Sequence, residues 1–136
     1  MFYPLFAMAV LTALVFSLNL GLRIWSVAAK KVKVGHFKLL ADDGTVPSFL
    51  QAGTRHMANL FETPVLFYVV GVLAIVSHAE NPFMLRLAWA YVVLRLIHAV
   101  IHMTYNRVIH RMLTFIASFV VLMFMWVHLL FVHLAL

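Results

Sequence analysis

Four apolar stretches, each long enough to cross a bilayer, dominate this chain and leave few folds open to it. They run from about Leu5 to Val27, Ala52 to Val76, Phe83 to Tyr105 and Arg111 to Leu136. A membrane-crossing helix needs about 20 mostly apolar residues. Only 10% of the 136 residues are charged and 65% are hydrophobic, and the mean hydropathy is +1.04. Soluble domains carry about 25% charged residues. A water-soluble fold of this size has no way to hide so much apolar surface. The spans therefore predict an all-α, multi-pass integral membrane protein with one domain over residues 1–136. Short connections such as SHAENPF, with its Asn81-Pro82 turn signal, favour antiparallel neighbours. The simplest architecture is an up-down four-helix bundle.

Charge sets the orientation. The first connection carries Lys30, Lys31, Lys33 and Lys38, and Arg107 lies in the third, with Arg111 opening the next helix. The second connection has Glu80 and only Arg86 nearby. The positive-inside rule puts the first and third connections in the cytoplasm and both termini on the other side. The N-terminal MFYPLFAMAV has no basic region before its apolar run, so it reads as a retained first helix rather than a signal peptide. The net charge of +6 flanks apolar spans, where it meets anionic lipid rather than nucleic acid. There is no cysteine, which removes disulfides, thiolate nucleophiles and Cys-based metal sites. Any thiol chemistry must take its thiol from a ligand.

Against this apolar background two polar stripes stand out. Arg55, Asn59 and Glu62 fall at i, i+4, i+7 in the second span, and Arg95, His98 and His102 recur at helical spacing in the third. Each set shares one helical face. With Arg23 near the end of the first span and Arg111 opening the fourth, all lie within roughly 15 Å of the cytoplasmic boundary. Ionisable groups in hydrocarbon are rarely retained without a partner or a task. One carboxylate cannot neutralise four guanidinium groups, and the excess positive charge suits an anionic ligand. Two structural readings stand beside this one. Arg23 and Arg111 lie where they can snorkel to headgroups, and Glu62 can pair with Arg55 or Arg95 to join two helices.

Other chemistries are less well served. His98 and His102 have a spacing able to bind a metal, but the residues between them are AVI and carboxylates are scarce, so no metal site is assigned. A haem would need His56 opposite His98 or His102. An anion channel would be expected to break a helix with Gly or Pro, and that feature is missing. His128 and His133 read as packing or interfacial residues.

In these residues the chain resembles the MAPEG family, the membrane-associated proteins in eicosanoid and glutathione metabolism. The resemblance rests on Arg55, Asn59 and Glu62 followed by Pro64 and aromatic residues, then Asn81-Pro82-Phe83, Arg95, His98 and Arg111. It covers about residues 52–115. It implies a homotrimer of four-helix bundles with sites between subunits near the cytoplasmic face. It further implies a membrane glutathione-binding protein, a glutathione transferase or peroxidase acting on lipophilic electrophiles. Arg111 then corresponds to the arginine that stabilises the thiolate, the catalytic role. Arg23, Arg55, Asn59, Glu62, Arg95, His98 and His102 would bind glutathione, with Arg groups on its carboxylates and Glu62 on its ammonium.

The chain also departs from the family pattern. His102 stands where the eicosanoid enzymes have Tyr, Met112 where a prostaglandin isomerase has Ser, and Phe115 lacks a frequent hydroxyl. Ala58 replaces a common basic residue. These changes argue against a specialised prostaglandin or leukotriene synthase. The alternatives are a non-enzymatic lipid-binding or scaffold member of the same fold, and a membrane haem-binding protein.

Overall fold

The computed structural model describes residues 1–29 and 48–134, with side chains described outside 48–61. Four helices follow one another: α1 (Phe2–Ala28), α2 (Ser48–Val76), α3 (Pro82–Met103) and α4 (Val108–Leu134). They form an up-down bundle, and no strand occurs among the described residues. Three of the helices are long and apolar enough to cross a membrane. In α2 the apolar part that is described is Glu62–Val76, so the span expected over 52–76 lies partly outside the described side chains. The chain is an integral membrane protein.

The observed helices overrun the expected spans at their starts. α4 begins at Val108 rather than Arg111, and α1 at Phe2 rather than Leu5. Hydropathy locates the apolar run, whereas a helix continues as long as its backbone bonds are satisfied. Pro4 is harmless so early in α1, where an amide proton would lack an intrahelical partner in any case. Further along α1, Thr12, Asn19 and Ser26 donate back to the carbonyls of Met8, Val15 and Leu22 at 2.9, 2.9 and 2.7 Å. Back-bonding of this kind satisfies a polar side chain where no water is available. α2 continues through Pro64, as membrane helices tolerate.

The turn between α2 and α3 is tightly specified. His78 takes a left-handed conformation (φ 52°), and the Ala79 amide closes on the Ala74 carbonyl at 2.9 Å. Asn81 then caps α3, its Oδ1 accepting the Met84 amide at 2.8 Å, with Pro82 at the first turn. The Met1 amino group pairs with Glu80, which puts the start of α1 at this end.

The core is a column of Met8, Val15, Phe67, Val70, Ala74, Met84, Ala88, Tyr91, Leu122 and Met125. Gly71 lets the Leu5 side chain of α1 lie close against α2. A Cβ there would lie 2.5 Å from Leu5 Cδ2, and small residues serve such contacts between membrane helices. The outward faces are apolar too, with Phe6, Leu14, Leu73, Val93 and Phe124 all exposed. That is the pattern of a bundle whose solvent is lipid.

Candidate functional site

The polar residues of α3 and α4 meet at the end of the bundle where these helices are joined by residues 104–107. Tyr91, Arg95, His98 and His102 are all buried on one face of α3. Their spacing extends the expected stripe by one turn, to Tyr91.

Arg95 is the most buried arginine among the described residues. It is only 3% exposed. Its Nε donates to the Tyr91 hydroxyl at 3.2 Å, and its guanidinium carbon lies 5.4 Å from the Tyr91 ring centre and 5.0 Å from that of Phe115. Cation–π contact offsets part of the cost of holding a charge away from water. The Tyr91 hydroxyl lies 3.4 Å from Thr63 Oγ1, and Phe67 stacks on the Tyr91 ring at 4.4 Å. Arg95 Nη2 is buried and finds no hydrogen-bond partner among the described residues.

One turn on, His98 Nδ1 contacts the Arg111 carbonyl at 3.1 Å and Thr114 Oγ1 at 3.2 Å. Its ring lies 5.9 Å from that of His102. Arg111 closes the cluster from α4. Its Nη1 donates to Asn106 Oδ1 at 2.8 Å and lies 3.3 Å from His102 Nε2. A guanidinium has no lone pair to accept with, so in this contact His102 Nε2 is the acceptor. The other edge of the guanidinium, Nε and Nη2, makes no hydrogen bond among the described residues.

The electrostatics favour an anion. Arg111 and His110 lie in the first turn of α4, which has no acidic residue. The positive end of the helix dipole therefore carries basic side chains and no acidic one, where an anion is the stabilising partner. Glu62 is exposed in the single chain. The only ion pair among the described residues is that of Met1 with Glu80. The expected alternative in which Glu62 pairs with Arg95 to join two helices is therefore not realised. A cation between His98 and His102 would face the Arg111 guanidinium, which opposes the metal reading.

The structure thus brings Arg95, His98, His102 and Arg111 together. Arg23 lies towards the same end of the bundle on α1, beside an open groove of about 450 Å³ lined also by Ile24, Val27 and Ala28. The side chains of Arg55, His56 and Asn59 lie outside the described residues. A second groove, about 340 Å³ and lined by Leu73, Trp126 and Leu129 among others, opens between α2 and α4 at the opposite end, remote from the arginines.

Several participants were missed in the sequence. Tyr91 was legible as the residue four before Arg95, and Thr114 as the residue three after Arg111. Asn106 and Thr63 carried no signal of their own, because their partners lie across a turn or on another helix.

Neither a curated protein nor a solved structure matches the chain. The model of the MAPEG family matches residues 3–131. That match spans nearly the whole sequence and all four helices, and with it the chain belongs to the MAPEG family.

Proposed function

We propose that this protein binds glutathione in the membrane and is a glutathione transferase or peroxidase for lipophilic electrophiles. The observation that carries the reading is Arg111: one nitrogen is tethered, the opposite edge makes no hydrogen bond among the described residues, and the residue lies in the first turn of α4. Glutathione offers two carboxylates, an ammonium and a thiol. Arg23, Arg55 and Arg95 suit the carboxylates, as guanidinium forks bind them bidentately. Asn59, His98 and His102 supply further hydrogen bonds, and Glu62 suits the ammonium.

Glu62 also motivates an assembly. A carboxylate exposed at the start of an apolar helical stretch is costly in lipid, and a neighbouring copy would cover it. The functional unit in this reading is a homotrimer with its sites between subunits, close to the cytoplasmic face. Both termini lie on the opposite side.

The chemistry follows from charge. The Nε and Nη2 edge of Arg111 stabilises the thiolate relative to the thiol, whose proton passes to water. The thiolate then attacks an electrophilic carbon, the S–C bond forms, and a halide or similar group leaves. Reactants enter sideways from the bilayer, to which the apolar faces of the helices are open.

Purified protein in lipid nanodiscs, given glutathione and an aryl halide, is expected to release halide, and native mass spectrometry to find a trimer. Absence of glutathione binding by the intact assembly would overturn the reading in favour of a non-enzymatic lipid-binding role. A Soret band in the same sample would instead point to haem. Cysteines introduced at Gly44 and Ser77 should label from opposite sides of the membrane, and labelling from one side would refute the topology.

A further inference from the structure

Asn106 is one of two non-glycine residues with positive φ among those described, at 48°. The backbone needs this shape. α3 ends at Met103, and the chain reverses by placing the Thr104 amide on the Val100 carbonyl at 3.0 Å and the Asn106 amide on that of Ile101 at 2.8 Å. Glycine is the default residue for such a left-handed position and asparagine a tolerated second choice. Asparagine here brings a side chain that glycine lacks, and its Oδ1 accepts from Arg111 Nη1 at 2.8 Å. The same nitrogen meets His102 Nε2 at 3.3 Å from the other helix.

From this geometry we infer that Asn106 and His102 form a clamp on one nitrogen of Arg111 that aims its free edge at the ligand thiol. The inference rests on the glutathione reading above. A guanidinium on a flexible stem can turn about its terminal bonds. Two acceptors on one Nη nitrogen remove that freedom, and they leave Nε and Nη2 without a hydrogen bond among the described residues. The two acceptors differ in origin. Asn106 comes from the turn and His102 from α3, so the direction of Arg111 is fixed by the α3–α4 junction as a whole. His102 itself is buried at 4% exposure beside the His98 ring, which limits its own movement. Asn106 and His102 are therefore positioning residues for the thiolate-binding arginine. Pre-organised donors are worth more than mobile ones because they need no reorganisation when charge develops.

The test uses the full-length protein in nanodiscs. Asn106→Gly keeps the left-handed backbone and deletes only the side chain, so the fold is retained. His102→Gln keeps an acceptor and His102→Leu removes it. First, guanidinium proton–nitrogen NMR of Arg111 should show hindered rotation in the wild type, with resolved Nη signals, and averaged signals in Asn106→Gly and His102→Leu. Second, with glutathione bound, the thiolate ultraviolet absorbance should titrate at higher pH in those two variants. Their conjugation rate should fall about tenfold, the loss typical of one hydrogen bond to a charged group, while His102→Gln, which keeps an acceptor, should retain the resolved Nη signals of Arg111.

Free rotation of Arg111 in the wild type would overturn the clamp whatever the protein binds. Hindered rotation with an unchanged thiolate titration in both loss variants would overturn its role in aiming at the thiol. Hindered rotation in a protein that takes up no glutathione would establish the clamp and overturn the glutathione reading instead.

Discussion

The two ends of the α3–α4 pair are built from similar residue types and reach opposite outcomes. At the 77–81 end, Asn81 uses Oδ1 to cap α3, and its Nδ2 donates to His128 Nε2 at 2.8 Å. The Phe83 ring packs on His128 with centres 5.0 Å apart. That polar cluster is closed, with both ends of the amide consumed inside the chain. At the 104–107 end, Arg95 keeps a buried nitrogen and Arg111 an edge that make no hydrogen bond among the described residues. Closed polar clusters fix a helix junction, whereas cationic ones left unsatisfied within a membrane bundle are candidate functional sites. The contrast lies in satisfaction, and not in the amount of polarity.

The comparison breaks most sharply at Arg111. Arg111→Ala is expected to lower aryl halide conjugation by about a hundredfold or more, the scale of losing one oriented donor to a developing anion. Bound thiolate absorbance should vanish with it. Arg111→Lys should retain part of both, lacking the planar fork. Normal turnover in Arg111→Ala would make the residue a lipid anchor.

Arg95 gives the next largest effect, with opposite signs for stability and binding. A buried charge with one unsatisfied nitrogen is a liability to the unliganded fold. Arg95→Met is expected to raise stability by about 1–3 kcal/mol and to weaken glutathione binding. Denaturation of detergent-solubilised protein with and without glutathione measures both. A large loss of stability in the variant would reassign Arg95 to packing.

Glu62 sharpens the contrast across helices. Because it pairs with no described residue of its own chain, Glu62→Gln should leave the stability of the isolated chain within about 0.5 kcal/mol. Glutathione affinity, measured by titration calorimetry, is expected to fall about tenfold, consistent with one charged hydrogen bond. Unchanged affinity would remove Glu62 from the site. The smallest effect belongs to the closed end. Asn81→Ala deletes a cap and its link to His128 and should cost about 1 kcal/mol, leaving glutathione affinity untouched.

What the sequence disclosed follows from the kind of interaction involved. The helices were legible because lipid demands long apolar runs. The α3 stripe was legible because residues three and four apart share a face, and Asn81-Pro82 announced its own turn. Helix ends were less so, since Val108 to His110 precede the apolar run yet continue the α4 ladder. The clamp on Arg111 was not legible. It depends on the left-handed backbone at Asn106 and on His102 reaching across from α3, and neither leaves a periodic trace. That Arg95 pairs with no carboxylate among the described residues was equally hidden, because composition counts charges without pairing them. Glu62 shows the same limit, for its spacing allowed a pair with Arg95 that the packing does not make.

The central claim is that the open end binds an anionic thiol ligand and the closed end does not. Glutathione titration followed by thermal unfolding tests it directly in the wild type, Arg111→Ala and Asn81→Ala. At a hundredfold excess over the dissociation constant, a ligand specific to the native state adds about 2.7 kcal/mol. The account predicts a rise in Tm for the wild type and for Asn81→Ala, the latter from a lower starting point, and none for Arg111→Ala. An equal rise in Arg111→Ala, or no rise in the wild type, would contradict it.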